Sequence, residues 1–214
     1  MSTTTGEKTL RSDARRNREQ LVASARELFA RVGVDVPVEE ITQRAGVGMG
    51  TLYRHFPTKD ELIDAVLEEA FAEMVSLAER SAAEEDAWAG LTGFLEGALA
   101  LHAANRGLKD VLATREHGHP RAEAMRAQIG PLLGILVERA QAQGTLRPDL
   151  TVEDLPLVFW GAGRVIETTA AIAPEHWRRY LGLVLDGLRA SAATPLPAPP
   201  LTEAQLARAA GRAR

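Results

Sequence analysis

Residues 44 to 63, RAGVGMGTLYRHFPTKDELI, set Gly46, Gly48 and Gly50 within five positions and then bring Tyr53, Arg54, His55 and Lys59 into the next nine. Glycine lets a backbone turn tightly and come close to a partner, and the side chains that follow donate hydrogen bonds and carry positive charge. The stretch is suited to meet phosphate. Two kinds fit: a nucleotide cradled in a glycine-rich loop, or a duplex backbone under a short basic helix. A nucleotide loop needs a strand before the glycines and a Lys-Ser or Lys-Thr pair after them, and the sequence has neither.

The surrounding elements are helical. Leu21, Ala25, Leu28, Phe29 and Val32 recur on one face of a predicted helix from about Ser12 to Arg31, with Gly33 as its stop. Pro37 suits a first turn, and Val38, Ile41, Thr42 and Ala45 space out two turns ending at Gly46. A further short helix opens at Gly48 or Met49, carries Leu52 and Phe56 inward, and is closed by Pro57. Two short helices joined by a glycine turn make a helix-turn-helix, here about residues 37–56. From Lys59 to about Ser81 the apolar stripe of Leu62, Ile63, Val66, Leu67, Ala70, Phe71, Met74 and Val75 is too wide for one neighbour, which predicts a connector.

A helix that reads the major groove must protrude, lock one face into a small core and offer the other. Leu52 and Phe56 do the locking with Ile41 and Ala45. The outward set divides into Thr51, Tyr53, Arg54, His55 and Lys59 for phosphates, and Met49, Gly50 and the Tyr53 ring for bases. Lys59 stands at a helix N-terminus, where backbone amides already favour an anion. Neither Met49 nor Gly50 has a side-chain donor, so base reading there rests on thymine methyls and DNA shape.

Composition agrees. With 214 residues and 45% hydrophobic content the chain can build one generous or two small domains. It has no cysteine, hence no disulfide or thiolate metal site. The N-terminal MSTTTGEKTLRSD lacks the apolar core of a signal peptide, and no apolar run approaches the ~20 residues that span a bilayer, so a cytoplasmic protein is expected. The formal charge is -4, with ten basic against seven acidic side chains in residues 1–59 and fifteen against twenty-two in the rest, giving +3 and -7. A basic head on an acidic body suits a DNA reader with a regulatory domain.

The run from Leu21 to Leu67 resembles the DNA-binding domain of the TetR family of bacterial transcriptional regulators. The resemblance is carried, without gaps, by Ala25, Leu28, Phe29, Gly33, Ile41, Ala45, Gly46, Val47, Gly50, Thr51, Leu52, Tyr53, His55, Phe56, Lys59 and Leu62. It implies an all-α fold in which an N-terminal three-helix head is joined by a connector helix to a larger C-terminal ligand-binding and dimerisation domain. It also implies a homodimer on a pseudo-palindromic double-stranded DNA operator, a repressor released by a small-molecule effector, with no cofactor and no enzymatic activity. The chain departs from the family pattern at Val38, Thr42 and Gly48. Val38 cannot donate to a phosphate, so Thr42 or Arg44 is expected to supply that contact. Arg15, Arg16 and Arg18 ahead of the first core residues are further candidates for DNA contact. The expected division is a flexible arm over 1–11, the reading domain over 12–58, the regulatory domain over 59–190 with its connector at 59–81, and a Pro-rich linker and disordered tail over 191–214.

In the body, helices are predicted at about 87–104, 108–115, 121–143, 152–173 and 174–190. Pro131 should kink or split the third, Thr151 with Asp154 makes a near capping box for the fourth, and Pro174 stands where a first helical residue belongs. Residues 139–158, RAQAQGTLRPDLTVEDLPLV, are similar to the turn that many family members place before their last two helices, which pair across the dimer. On that resemblance Gly161, Trp177, Tyr180, Leu181, Val184 and Leu188 are the expected seam. Candidate effector-pocket residues are Trp88, Phe94, His102, Met125, Phe159, Trp160, Arg164 and Thr168, with Glu167 or a ligand acid as the partner of Arg164. EHGHP at 116–120 offers a His-x-His pair without a third ligand and is read as a solvated loop, not a metal site. No catalytic motif occurs, and the acidic pairs Glu39-Glu40, Glu68-Glu69 and Glu84-Glu85 are adjacent in sequence and diverge on a helix. Two competitors remain: a ligand-independent dimeric DNA-binding regulator, and a helical enzyme on the same fold.

Overall fold

The structure, a computed structural model, describes residues 4–104 and 120–209. Among the described residues the elements are α-helices and two 3-10 turns, with one isolated bridge between Leu146 and Arg189. The helices are α1 Thr4–Val32, α2 Val38–Ala45, α3 Met49–His55, α4 Lys59–Ala83, α5 Ala87–Ala104, α6 Pro120–Ala142, α7 Leu155–Thr169, α8 His176–Leu188 and α9 Glu203–Ala209. No described helix is long and apolar enough to cross a membrane. The helix expected at 108–115 and the EHGH of residues 116–119 lie outside the described residues.

The described residues fall into two compact units, one reaching to Glu69 and the other beginning at Ala70. The division is inside α4 and not before Lys59, because the first turns of α4 bury Leu62, Ile63, Val66 and Leu67 as part of the reading unit's core. Leu21, Ala25, Leu28 and Phe29 of α1, Ile41 of α2, and Leu52 and Phe56 complete that core. Val32, expected on the same face, is exposed at the end of its helix. Gly33 and Gly46 stop α1 and α2 in the left-handed region, at φ 89° and 68°, where a side chain would be strained. The helix α1 also starts earlier than Ser12, at Thr4.

In the second unit α5 packs on α6 and α7, and α8 packs on α7. Leu91, Leu95 and Leu99 meet a core that includes Leu136, Ala140, Ala162, Ile166, Trp177 and Leu181. Close approach is built in at Gly90: a Cβ there would lie 2.4 Å from the Ser81 carbonyl oxygen and 2.9 Å from Leu136 Cδ2. Pro131 does not split α6. It lies exposed between two buried sets, Met125 and Ile129 before it and Leu133, Leu136 and Val137 after it, whose packing offsets the one missing hydrogen bond.

The segment before α7 departs from expectation. The Asp154 carboxylate accepts the Thr151 N–H at 2.9 Å, but this caps a 3-10 turn over Val152–Asp154, and α7 begins at Leu155. At the other end, residues 170–175 form turns closed by Ala173 N–H to Thr169 O at 2.7 Å and His176 N–H to Ala173 O at 3.0 Å. Pro174 therefore precedes α8 and does not open it.

The C-terminal segment is not a free tail. Arg147, buried, donates through Nε to Asp149 at 2.6 Å, through Nη1 to the Gly187 carbonyl at 3.1 Å and through Nη2 to the Thr194 carbonyl at 2.5 Å. Asp149 in turn accepts the Leu196 N–H at 3.1 Å, and α9 buries Leu206. The Arg147 guanidinium holds the Asp149 carboxyl at about 2, well below its ordinary 3.8. Prolines keep residues 195–200 out of a helix, and one buried arginine binds the backbone beside them.

Candidate nucleic-acid interface

The reading unit buries one face of α3 and leaves the other accessible. Leu52 and Phe56 are buried, as the i and i+4 spacing requires, while Gly50, Tyr53 and Arg54 are exposed and Met49, Thr51 and His55 half-buried. Tyr53 keeps 49% of its surface in solvent, which leaves its ring and hydroxyl accessible. Gly48 caps α3 from extended backbone without a side-chain bond. A Cβ at Gly48 or Gly50 would meet nothing within 4 Å, so neither glycine is required by packing inside the chain.

The donors around this face are unevenly engaged. Arg54 folds back along α3, giving Nε to the Gly50 carbonyl and Nη2 to Thr51 Oγ1, both at 3.2 Å. Arg44 turns to α1 and pairs with Glu27, with Nε 2.8 Å from Oε2. The pair is solvent-exposed, a class worth about 0–1 kcal/mol, so Arg44 can leave Glu27 for a phosphate at small cost. His55 lies half-buried against Phe56, with ring centroids 6.4 Å apart. Lys59 opens α4, whose first turn is capped by Thr58 accepting the Glu61 N–H at 3.2 Å. That cap was legible as Thr58-x-x-Glu61 and adds an ordered, amide-rich helix start beneath Lys59.

Thr42 is a correction. It is buried, and its hydroxyl is directed at the Glu39 carbonyl at 2.9 Å and at Met49 Sδ at 3.6 Å, so it faces the interior and not a phosphate. A β-branched residue at the centre of a two-turn helix satisfies its hydroxyl on the turn before it. Of the N-terminal arginines, Arg15 pairs with Glu19 at 3.1 Å, Arg16 is exposed, and Arg18 stacks its guanidinium 5.1 Å from the Phe56 ring centroid. Arg18 thereby lies beside the C-terminal end of α3, which spacing alone did not reveal.

In the second unit the effector candidates separate. Phe94, His102 and Met125 are buried. The His102 ring meets Phe159 edge-on with centroids 5.2 Å apart, and its Nε2 would be 3.2 Å from a Cβ at Gly163. Trp160 is half-buried. Trp88 instead lies under the Arg189 guanidinium, 4.6 Å from the ring centroid, at the start of α5. Arg164 is 75% exposed and bonded to Glu167 at 2.9 Å, and Thr168 spends its hydroxyl on the Arg164 and Val165 carbonyls. Both lie on the exposed side of α7, where the apolar pattern placed them only because α7 is apolar on more than one face.

The expected seam also sorts by depth. Trp177, Leu181 and Leu188 are buried within their own unit, Trp177 to 1%, and serve as core. Gly161 leaves room for Tyr180, whose hydroxyl would be 3.0 Å from a Cβ there. On α7 and α8 the large apolar side chains left outward are Leu157 and Leu183, the latter 66% exposed, with Val184 half-buried beside it. Leu157 and Leu183 were missed, although Leu183 follows Tyr180 by three, a spacing that shares a helix face.

The geometry of a locked, short, donor-bearing helix joined by a glycine turn to its support is matched by comparison with known proteins. Residues 21–66 match the family model of bacterial regulatory proteins of the tetR family, and residues 86–190 match that of the SbtR-like transcriptional regulator C-terminal domain. A TetR transcription regulatory protein from Mycobacterium vanbaalenii is 34% identical in a structural match that covers 84% of this chain and 99% of that one, at a TM-score of 0.52.

The chain belongs to the TetR family.

An HTH-type transcriptional regulator of Staphylococcus aureus (strain USA300) is 40% identical over 60 residues, 28% of this chain. That match spans about a third, 32%, of the Staphylococcus protein. FadR from Bacillus subtilis, solved in complex with stearoyl-CoA, shares the fold at 17% identity and a TM-score of 0.62 over 79% of this chain and 98% of its own. The segments matched by the family models correspond to the TetR-type reading head and the helical body.

Proposed function

We propose that this TetR-family chain is a sequence-specific DNA-binding transcriptional regulator, a repressor that acts as a homodimer and is released from a pseudo-palindromic operator by a small-molecule effector. The observation that carries the reading is α3: Leu52 and Phe56 fix it in the core while Met49, Gly50, Thr51 and Tyr53 stand at its accessible side and Lys59 follows at a capped helix start. Such a helix enters a major groove, and two of them related by a dyad read two half-sites about one helical turn apart. The outward Leu157 and Leu183 on α7 and α8 supply apolar surface for the second copy.

The effector site belongs to the second unit, where the buried His102 meets Phe159 edge-on and sets one polar ring among apolar side chains. That FadR holds stearoyl-CoA on the same fold supports a body of this type as a ligand-binding domain. An effector releases DNA only by binding the DNA-incompetent form more tightly. The test is selection from a random duplex pool by the full chain, followed by metabolite screening for release. Enrichment of a two-fold symmetric site that a metabolite discharges is the expected result. No enriched sequence would refute the DNA-reading role, and an enriched site that no metabolite releases would favour the ligand-independent regulator.

A further inference from the structure

We propose that Thr42 is a positioning residue that fixes Met49 as a methyl-reading side chain, so that one thymine in each half-site is recognised through its 5-methyl group. The inference rests on the DNA-reading role proposed above and names a chemical determinant within it.

Met49 is the first residue of α3 and is half-buried, held on one side and open on the other. Its sulfur lies 3.6 Å from Thr42 Oγ1, within reach of the hydroxyl that also faces the nearer Glu39 carbonyl at 2.9 Å. An unanchored methionine has three freely rotating bonds and packs against many surfaces alike. Held at its sulfur, its terminal methyl has a restricted range and can select a shape. Gly48 and Gly50 flank it with no side chain and nothing within 4 Å of their would-be Cβ positions, so no neighbour on α3 competes for the base pair below. The two nearest arginines point elsewhere: Arg54 along its own helix and Arg44 to Glu27. The first two residues of α3, Met49 and Gly50, thus offer an apolar group and no side-chain donor. The thymine methyl is the apolar feature of the major groove that such a group matches.

The magnitude follows from one methyl group removed from water, whose transfer is worth roughly a fourfold change in affinity per half-site. The experiment uses the full chain and the duplex it selects, with each thymine replaced in turn by deoxyuridine, which deletes only the methyl. At one symmetry-related pair of positions the parent should bind roughly fourfold more weakly per half-site, and Met49→Ala should be indifferent to the same replacement. Thr42→Val, which keeps the buried shape, should lose much of the discrimination, and Thr42→Ser, which keeps the hydroxyl, should retain it. Thermal melting verifies that each variant is folded. If no methyl matters to the parent and not to Met49→Ala, the methyl-reading role is wrong. If Thr42→Val discriminates as the parent does, the positioning role is wrong. A chain that selects no duplex overturns the DNA-reading role itself and this inference with it, whereas one that selects DNA but ignores the methyl overturns this inference alone.

Discussion

Replacing Gly50 with alanine separates two explanations for a glycine on the reading helix. If the chain's own packing demanded it, the variant would be less stable. Gly50 lies inside α3, has no positive φ, and a Cβ there meets no atom within 4 Å. Alanine is the better helix former by about 1 kcal/mol at an interior position, so the free protein should gain up to that amount. Spread over a domain of this size the gain raises the melting temperature by roughly 2–4 °C. DNA binding should move the other way. Gly50 is exposed on α3, and in the proposed docking the helix backbone approaches the groove there, where an added methyl against a close-packed surface costs about 1–3 kcal/mol. That corresponds to roughly five- to 150-fold weaker binding. Circular dichroism melting of the free chain and fluorescence anisotropy on its selected duplex give the two numbers. A destabilised Gly50→Ala protein would show that the glycine is structural, and a stable variant binding DNA as tightly as the parent would show that α3 does not approach the groove along this face.

Three further outcomes follow from the rest of the structure. Gly90→Ala forces a Cβ to 2.4 Å from the Ser81 carbonyl, a backbone atom that cannot step aside as a side chain could, so it should lower stability by about 1–3 kcal/mol in a denaturant titration. The Asp149 carboxyl, held at about 2 by the Arg147 guanidinium, contributes stability that is fully present above its unfolded value near 3.8 and is lost as pH falls through about 2. Acid titration of C-terminal segment protection by hydrogen exchange should show that loss in the parent and a flatter profile in Asp149→Asn. Leu183→Glu replaces an outward apolar side chain of α8 with a charge, and because a two-fold interface repeats each contact it should remove roughly 2 kcal/mol per copy and shift sedimentation toward monomer.

The reading head was legible because its elements are short and each is closed by a residue with one job. Gly33 and Gly46 stop helices at positive φ, Pro57 follows α3, and Leu52 with Phe56 has a single spacing that fits a buried face. The same logic failed where a side chain had two chemically sensible partners. Val38 cannot donate, which points to Thr42 or Arg44 for the missing phosphate contact, yet the Thr42 hydroxyl has the carbonyl of Glu39 one turn earlier within its reach. In the body, Trp177, Leu181 and Leu188 have the periodicity of a seam, but periodicity gives a face and not its neighbour, and α7 and the rest of the unit claim that face first. Arg164 and Thr168 were drawn toward a pocket by the apolar residues around them, although both spend their polar atoms locally at the surface. The latch of Arg147 and Asp149 on the Pro-rich segment depends on residues some 40 to 47 positions apart, which no local pattern contains.

The most direct measurement is the salt dependence of duplex binding by the parent, Tyr53→Ala and Lys59→Ala. Each phosphate contact contributes about 0.9 to the slope of log affinity against log salt concentration. Lys59→Ala should reduce that slope by about 1 for each half-site occupied and weaken all sequences alike, while Tyr53→Ala should weaken the selected site more than random DNA. Parent-like affinity, slope and selectivity in both variants would contradict the assignment of α3 and the start of α4 as the surface that meets DNA.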